Sequence, residues 1–456
     1  MTHDSTHQKS CDIFNIKNLY FKYQNDTNPT LTSPQNITIN HLDIILLTGE
    51  SGCGKSTFFH ILKGLIPDFI PGKISGDILY HEENLFTLTE NQKNKIALLW
   101  QNPDAQFINS DVYKELALPL ENMGIDPKDI EHKINECVEK FNIHHLINKK
   151  AHELSGGEKQ KINLIALLLR DPDVLLLDEP TAFLDTKSIN MLIQTLKHIS
   201  PHKTIIIIEH NHHYFKDLIN RHFVINKNGE IREEDIRNIQ WEPIYNIPKN
   251  AHHTNATNHN PLLHIKHYAR KDYYQINNFT IYKQDIIGIN GDNGIGKSTL
   301  LHAIAKLIKT DKKSIYYNNQ DITDIHWKKY FTYCTLLFQN SEHHFLYNSV
   351  IEETDNLDIL DKIGLKNKTS HNPFSLSEGQ KRRLSLAILW NMDCELYLLD
   401  EPTFGQDLKN KNILCDMIYN MNTLGKTFVI ISHDLPFLKA ICNKVYQLTS
   451  HGLTHL

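Results

Sequence analysis

Two stretches of the chain share one pattern, in which an apolar run precedes a glycine-rich turn and then apolar residues at helical spacing. The apolar runs at residues 44–47 and 286–289 are typical of buried strands, and residues 58–65 and 300–308 predict the helices that follow. Both turns read G-x-x-x-x-G-K-[ST]. Because the order of strand, turn and helix recurs, the chain predicts a duplicated α/β fold.

Further apolar runs predict the other strands of the first copy. They cover residues 13–23, 37–39, 174–177 and 204–208, while a run at 98–100 ends in the polar turn Gln101-Asn102-Pro103. Asp126 and Pro127 suit an N-cap and a first helical residue, so a helix should begin there. Another helix opens at Ser155.

Spacing indicates that the second half repeats the first. Ser155 to Asp178 and Ser377 to Asp400 both span 23 residues, and Glu179 to His210 spans 31 against 32 for Glu401 to His433. Gln101 to Ser155 spans 54 residues but Gln339 to Ser377 only 38, so the second half lacks about 16 residues of a helical insertion.

These spacings predict a first domain at residues 1–235, a linker at 236–261 and a second domain at 262–456. The linker is rich in proline, asparagine and histidine. A metal site at His252, His253 and His259 is disfavoured, because these histidines lack regular ligand spacing and carboxylate support.

Composition narrows the function classes. The 456-residue chain has a formal net charge of −5, so it lacks the basic footprint of a nucleic-acid-binding protein. Its seven cysteines are odd in number and form no C-x-x-C pair, which favours reduced thiols in the cytosol. No run of about 18 apolar residues is present, so a membrane role would require a membrane-embedded partner.

The glycine-rich turns carry phosphate-binding chemistry. Glycines let backbone N–H groups approach phosphate oxygens, and the following helix N-terminus attracts anions. Lys55 and Lys297 should reach the β- and γ-phosphates, and Ser56 and Ser298 should ligate Mg²⁺. The predicted nucleotide-binding residues are Gly49, Glu50, Ser51, Gly52, Cys53, Gly54, Lys55, Ser56, Thr57, Gly291, Asp292, Asn293, Gly294, Ile295, Gly296, Lys297, Ser298 and Thr299.

Each half carries further motifs after its phosphate loop, in the same order. They are a polar turn, an L-S-[GE]-G-[EQ] signature, an acidic strand end followed by a D-loop, and a strand ending in histidine. This order resembles the ATP-binding cassette (ABC) family over nearly the whole chain, twice. The segments 101–107 and 400–407 are similar to those of the ATPase (A) components of energy-coupling-factor (ECF) importers, and the tandem arrangement resembles fused A components.

The resemblance implies two P-loop NTPase domains, each with a RecA-like core, an antiparallel β subdomain and a helical subdomain. It also implies that the halves pair head to tail around two ATP molecules, without need of a homodimer. Ser377 and Gly379 would close the site built on the first phosphate loop. Ser155, Gly156 and Gly157 would close the site built on the second.

The same resemblance implies a role for each polar residue. The Mg²⁺ ligands would be Ser56, Gln101 and Asp178 in one site, and Ser298, Gln339 and Asp400 in the other. Glu179 and Glu401 would be general bases, and His210 and His433 would donate to the γ-phosphate, with Gln101 and Gln339 completing the catalytic sets. Acidic pairs can also be solvated strand ends and a histidine structural, but their recurrence at matching positions favours catalysis.

Adenine recognition is less determined. In the family, adenine usually stacks on an aromatic residue near the start of each cassette. Tyr23 would serve in the first half, the alternative being a core tyrosine. In the second half either Tyr268 or Tyr273 would serve.

One position departs from the family pattern. Glu378 stands where the second signature usually has glycine. A carboxylate near a γ-phosphate would repel it, so either the side chain points away or the site built on Lys55 hydrolyses more slowly. Glu158 in place of glutamine in the first signature is a milder change. We expect two competent sites, which are unequal in rate only if the Glu378 side chain does not point away.

The resemblance implies a motor subunit at the cytoplasmic face of the cell membrane, bound to a T-type coupling protein and a substrate-binding S-type protein. The segments after Gln101 and Gln339, with Phe107, Phe345 and Tyr347, would face these partners. The cargo would be a thiamine precursor or another vitamin precursor, or a transition-metal ion. Alternatives are a fused sugar-importer ATPase and a tandem cassette protein acting on ribosomes, although the short linker and acidic charge disfavour the latter.

Overall fold

The computed structural model describes residues 12–24, 28–33, 36–50, 52–182, 184–245, 260–270 and 273–456. The chain divides into two compact units, residues 1–242 and 243–456. Most of the predicted linker, including His252, His253 and His259, lies outside the described residues, so the domain boundaries above stay predictions.

The first unit contains eleven described strands and seven described α-helices. The strands are β1 (Asp12–Tyr23), β2 (Leu31–Thr32), β3 (Ile37–Asn40), β4 (Ile44–Gly49), β5 (Gly72–Tyr80), β6 (Glu83–Asn84), β7 (Ile96–Leu99), β8 (Val174–Asp178), β9 (Thr204–Ile208), β10 (Arg221–Ile225) and β11 (Ile231–Glu234). The helices are α1 (Lys55–Leu62), α2 (Glu90–Lys93), α3 (Pro103–Gln106), α4 (Val112–Asn122), α5 (Pro127–Phe141), α6 (Gly156–Leu168) and α7 (Thr186–Ile199).

The second unit repeats this order among its described residues. The strands are β12 (Pro261–Arg270), β13 (Tyr274–Tyr282), β14 (Ile286–Gly291), β15 (Ile315–Tyr317), β16 (Gln320–Asp321), β17 (Cys334–Leu337), β18 (Leu396–Asp400), β19 (Thr427–Ile431), β20 (Lys444–Thr449) and β21 (Gly452–His455). The helices are α8 (Lys297–Ile304), α9 (Trp327–Tyr330), α10 (Val350–Thr354), α11 (Leu357–Lys362), α12 (Glu378–Trp390), α13 (Leu408–Thr423) and α14 (Leu435–Ile441).

Each unit is built around a six-stranded, mostly parallel sheet. The strand orders, β7-β8-β9-β4-β10-β11 and β17-β18-β19-β14-β20-β21, are the same, and only the last strand of each sheet is antiparallel. The inner strands are continuous apolar runs because helices or a second sheet cover both faces. In each unit the strand before the phosphate loop lies inside the sheet, between the histidine-ending strand and the penultimate strand.

A second, antiparallel sheet covers one face of each parallel sheet. Its order is β2-β1-β5-β6, with β3 on β1, in the first unit and β13-β12-β15-β16 in the second. In the first unit Phe14 and Phe21 of β1, Phe58 of α1 and Leu176 of β8 share one buried core. The predicted fold of a RecA-like core with antiparallel and helical subdomains is therefore confirmed.

The helical region differs between the units as the spacing predicted. In the first unit α4 and α5 have 11 and 15 residues and pack on α6 through Leu116, Ile134 and Ile162. The matching α10 and α11 have only 5 and 6 residues. The shorter insertion of the second half is thus a loss of helix length.

Candidate active sites

The phosphate loop of each unit joins the carboxyl end of a strand to a helix. Gly54 and Gly296 immediately precede α1 and α8 and have φ of 102° and 107°, a left-handed conformation that other residues rarely adopt. Lys55 Nζ donates to the carbonyls of Gly49 and Glu50 at 2.8 and 2.9 Å. The loop therefore folds around a buried ammonium group next to a helix N-terminus, which suits an anion. Ser51 lies outside the described residues.

The second loop repeats this geometry. Lys297 Nζ donates to the carbonyls of Gly291 and Asp292 at 2.7 and 3.0 Å, and it lies 3.3 Å from His433 Nε2. Lys55 and Lys297 are 8 % and 7 % exposed. Desolvation on this scale strengthens the attraction of a cation for phosphate.

An aspartate at the end of β8 or β18, one strand removed from the strand before the loop, faces each phosphate loop. Asp178 is hydrogen-bonded to Ser56 and Asp400 to Ser298. Burial, with the Glu179 charge as the second cause, raises the pKa of Asp178 to about 7, and burial also raises the pKa of Asp400. Among the described residues Asp400 Oδ1 has no hydrogen-bond partner although it is buried.

The glutamate that follows each aspartate is held in an unusual backbone conformation. Glu179 and Glu401 have φ of 45° and 50°, and their N–H groups donate to Ile208 and Ile431 at 2.9 Å. Non-glycine residues adopt such conformations at a cost of about 1–3 kcal/mol, typically where function requires it. Burial raises the pKa of Glu401 to about 7.

Side chains of the first unit converge on Glu179. Gln101 Nε2 donates to Glu179 Oε2 at 2.6 Å, and His210 Nε2 lies 3.3 Å from Glu179 Oε1. Glutamine, glutamate and histidine from three different sequence motifs therefore form one cluster, as the sequence predicted.

The second unit forms the matching cluster with different contacts. The His433 N–H donates to Glu401 Oε2 at 3.2 Å, and His433 Nε2 lies 3.5 Å from Glu401 Oε1. One open cleft is lined by the predicted residues Asn293, Gly294, Gly296, Lys297, Ser298, Thr299, Gln339, Asp400, Glu401 and His433, and also by Arg270.

The signature serines begin the helices α6 and α12. Ser155 and Glu158 form a capping box, with the Ser155 N–H donating to Glu158 Oε2 at 2.7 Å, and Ser377 forms the same box with Gln380. Glu158 therefore does in the first signature what glutamine does in the second. The side chain of Glu378 lies outside the described residues, so both alternatives for this side chain stay predictions.

The candidate adenine residues lie in different environments. Tyr23 Oη is 2.8 Å from Thr57 Oγ1, beside the first phosphate loop. Tyr268 is 9 % exposed and belongs to the core, whereas Tyr273 is 45 % exposed. Exposure favours Tyr273 over Tyr268, and the role of Tyr23 stays a prediction.

Comparison with known families decides what these sites are. The ABC transporter family matches residues 33–182 and 274–404, together more than half of the chain. The chain belongs to the ABC transporter family. It is therefore a tandem ATPase, with one nucleotide-binding domain in each unit.

Relatives of this ABC ATPase are similar along their whole length. YkoD of Bacillus subtilis, named as an ATP-binding protein for HMP/thiamine import, is 28 % identical, with 97 % of this chain and 91 % of YkoD covered. An ABC transporter ATP-binding protein of Treponema denticola is 30 % identical, with 96 % and 95 % covered. These similarities place the ABC ATPase among the ATP-binding subunits of transporters.

Solved structures resemble its fold. An archaeal model of ribosome-bound Pelota and ABCE1 matches with a TM-score of 0.70 at 18 % identity, covering 96 % of this chain and 78 % of that one. A structure titled RNase-L Inhibitor matches with a TM-score of 0.65, also at 18 % identity, covering 94 % and 87 %. At this identity the similarity shows the tandem fold alone.

The segments after the polar turns expose only part of the predicted set of side chains. Phe345 is 7 % exposed, belongs to the helical core and contacts the half-exposed Phe374 edge-on, so the expectation that it faces a partner is wrong. Phe107 is also packed, at the edge of the helical core. Tyr347, the third predicted residue, is 53 % exposed. Ile108 and Leu346, which follow Phe107 and Phe345 and were not predicted, are 76 % and 83 % exposed.

A buried glutamate holds each of these segments. Glu115 Oε2 accepts from the N–H groups of Ile108 and Asn109 at 3.0 and 2.7 Å, and Glu353 Oε1 accepts from those of Leu346 and Tyr347 at 2.8 Å. Both glutamates are less than 9 % exposed. The ABC ATPase thus presents one exposed aliphatic residue per unit on a fixed backbone.

Besides Arg270, two residues near the sites were missed in the sequence. Arg382 is 1 % exposed and donates to the carbonyls of Phe338, Gln339 and Asp400, whereas Gln160, at the matching position, donates to Trp100 O at 3.4 Å. The sequence signal that could have revealed Arg382 is that the two halves differ, as glutamine and arginine, at this one repeat position.

Glu209 is the second missed residue. Its carboxylate is 4 % exposed and accepts from Thr181 Oγ1 at 2.5 Å and from the N–H groups of Thr181, His210 and Asn211. The matching residue in the second unit is Ser432. The carboxylate fixes the loop that carries His210.

Among the described residues, none of the helices is long and apolar enough to cross a bilayer. Within the same residues, no group of three or more His, Cys, Asp and Glu side chains is arranged to hold a metal ion. A cation at the phosphate loops would therefore need hydroxyl, amide or phosphate oxygens in addition to one aspartate.

Proposed function

We propose that this ABC ATPase is the motor subunit of an ECF-type importer and works at the cytoplasmic face of the cell membrane. Its partners would be a T-type coupling protein and an S-type substrate-binding protein. The proposal is supported by the ECF-like segments at 101–107 and 400–407 and by the full-length similarity to YkoD, which is named as an import ATP-binding protein.

The single observation that carries the proposal is that Ile108 and Leu346 are exposed apolar residues on backbone segments held by buried glutamates. Ile108 and Leu346 are exposed on segments whose amides bind a buried carboxylate, so the side chains are presented without a large ordering cost. Each segment is also linked to the signature helix, through Lys159–Asp104 and Lys381–Glu342 ion pairs of 2.5 Å. A membrane-protein helix docking there would act directly on the catalytic region.

In the proposed mechanism each phosphate loop binds the nucleotide through its backbone N–H groups and its lysine. Glu179 and Glu401 accept the proton of the attacking water, and the raised pKa of Glu401 suits a general base. His210 and His433 donate to the γ-phosphate as charge develops, and Gln101 holds Glu179 in position.

The residues present fit Mg²⁺. Ser56 and Asp178, or Ser298 and Asp400, offer hard oxygen ligands, and the buried, unpartnered Asp400 Oδ1 is the kind of atom that a cation satisfies. Gln101 and Gln339 would be the further protein ligands. When bound, the ion would neutralise charge on the transferred phosphoryl group.

Completion of each site is proposed to need both halves. Ser377 and Gly379 would contact the nucleotide on the first phosphate loop, and Ser155, Gly156 and Gly157 that on the second. Hydrolysis would then be tied to closure and opening of the halves, which is how it would drive transport.

The proposed cargo is a thiamine precursor. This is supported by the name of YkoD, with which the chain aligns over 97 % of its length. Ligand identification on the purified complex tests it, and a cobalt or nickel ion in place of an organic precursor would contradict it.

Replacing Ile108 and Leu346 by charged residues tests whether they dock membrane subunits. In an Ile108→Asp, Leu346→Asp variant, association with membrane subunits should fall at least tenfold because a carboxylate cannot enter an apolar groove, while basal ATP hydrolysis is retained. Leu424→Asp is the matched control, since Leu424 is 77 % exposed and caps the end of α13 rather than following a polar turn.

The measurement is co-purification from membranes with products of neighbouring reading frames. Equal recovery of membrane subunits with both variants would contradict the docking surface. Recovery of the unmodified chain with ribosomes and without membrane proteins would contradict the importer function.

A further inference from the structure

In the second unit a guanidinium group lies against the phosphate loop. A Cβ atom built on Gly296 would lie 2.1 Å from Arg270 Nη1, so the side chain covers this glycine closely. Arg270 is the last residue of β12 and lines the same cleft as Lys297, Thr299 and Glu401. A second cation therefore stands beside the anion-binding loop.

Neighbouring tyrosines hold this region in place. The Arg270 guanidinium carbon lies 4.2 Å from the centre of the Tyr273 ring, a cation–π contact. Tyr274 Oη donates to Gly296 O at 3.1 Å, which anchors the loop to the strand that follows Arg270. The guanidinium is thus positioned before any ligand binds.

The first unit has a different residue at this place. A Cβ built on Gly54, the counterpart of Gly296, would lie 2.7 Å from Leu31 Cδ2 and 3.1 Å from Thr30 O. An aliphatic side chain therefore occupies the place that the guanidinium has in the second unit. The two phosphate loops share their backbone geometry but differ in charge at this point.

We propose that Arg270 is a nucleotide-binding residue of the second site alone, donating from its guanidinium to phosphate oxygens of the bound nucleotide. A guanidinium forms charge-assisted, bidentate hydrogen bonds with phosphate, and an aliphatic side chain cannot. The inference rests on the proposed assignment of the second phosphate loop as a nucleotide site. It gives the two sites different affinities in addition to any effect of Glu378.

The test measures nucleotide binding to the full chain with one phosphate loop disabled. In a Lys55→Ala background, which reports the second loop, Arg270→Leu should weaken MgATP and MgGTP binding equally, by about tenfold or more. In a Lys297→Ala background, which reports the first loop, the same substitution should change nothing. Arg270→Lys should keep part of the affinity, and Arg237→Leu, at an exposed site, should keep all of it.

Three other results would contradict the inference. Unchanged affinity of Arg270→Leu in the Lys55→Ala background would overturn the inference, and so would a loss confined to MgATP, which would assign Arg270 to the adenine base. Absence of binding in the Lys55→Ala chain with Arg270 intact would overturn the nucleotide site itself, and the inference with it. Circular dichroism of each variant confirms that the chain is folded.

Discussion

At the scale of single residues, each unit holds one glutamate in a left-handed conformation at the end of a buried strand. The hydrogen bonds from Glu179 N–H and Glu401 N–H to the adjacent strand fix the backbone that carries both side chains. This shared strain favours catalysis by both glutamates over a structural role for either one.

We therefore predict that Glu179→Gln and Glu401→Gln each reduce ATP turnover, and that the double variant loses at least about 100-fold, because the amide cannot accept the water proton. Nucleotide affinity should be retained. Steady-state hydrolysis with parallel binding measurements checks this. Wild-type turnover in both single variants would contradict the assignment.

Glu209 supports a prediction about local stability. In Glu209→Ala the amides of His210 and Asn211 and the Thr181 hydroxyl lose a buried charged acceptor, which should destabilise this loop by about 2 kcal/mol. Hydrogen exchange at residues 210–211 should become roughly 30-fold faster.

The control for this experiment is Glu131→Ala, which removes an exposed carboxylate from α5. It should leave exchange at residues 210–211 unchanged. Equal exchange in Glu209→Ala and the unmodified chain would show that the carboxylate does not hold the loop.

Residues with a sequence signature were predictable and residues defined by their surroundings were not. Lysine, aspartate, glutamate and histidine at motif positions converge as expected in each unit. Arg270 and Glu209 belong to no motif, and their importance depends on what the fold places beside them. The sequence suggested that Phe345 is exposed and contacts a partner, but its ring is buried in the core.

At the scale of elements, the signature helices α6 and α12 contact both the polar turns, which precede the exposed Ile108 and Leu346, and the region of the candidate catalytic residues. In the second unit α12 supplies Arg382, whose guanidinium binds carbonyls of the polar turn and of Asp400. In the first unit α6 supplies Gln160, which makes one long bond of 3.4 Å to Trp100 O. At this position the signature helix is therefore bound more strongly to the polar turn in the second unit than in the first.

We predict that Arg382→Gln lowers ATP turnover by about tenfold without weakening nucleotide binding, because the polar turn and Asp400 lose their common donor. Arg382→Lys should restore part of the rate. Arg383→Gln, which alters a contact with Asn410 instead, is the control. Measuring kcat and KM separately checks this, and a change in KM alone would contradict it.

Strands were predicted more accurately than helix ends. Every stretch singled out contains a strand. The strands of the parallel sheets are continuous apolar runs because they are buried on both faces, whereas burial is mixed along β1 and β3. The helices predicted at 58–65 and 300–308 instead span Lys55–Leu62 and Lys297–Ile304. They begin where Gly54 and Gly296 turn the chain, and they stop before Gly64 and Lys306, which have positive φ. The spacing of apolar residues does not show where such backbone turns begin or end a helix.

At the scale of the whole molecule, the chain contains two units with the same sheet order and matching clusters of candidate catalytic residues. The clusters differ in detail, since Gln101 contacts Glu179 in one and the His433 amide contacts Glu401 in the other. Duplication followed by divergence accounts for both facts. The proposed cooperation of the halves adds that neither cluster acts without the signature of the other unit.

The most direct test of this account is the structure of the Glu179→Gln, Glu401→Gln double variant with ATP and Mg²⁺. We predict two ATP molecules per chain, one bound between Lys55 and Ser377 and the other between Lys297 and Ser155. A closed structure in which either ATP contacts only the unit that supplies its phosphate loop would contradict it.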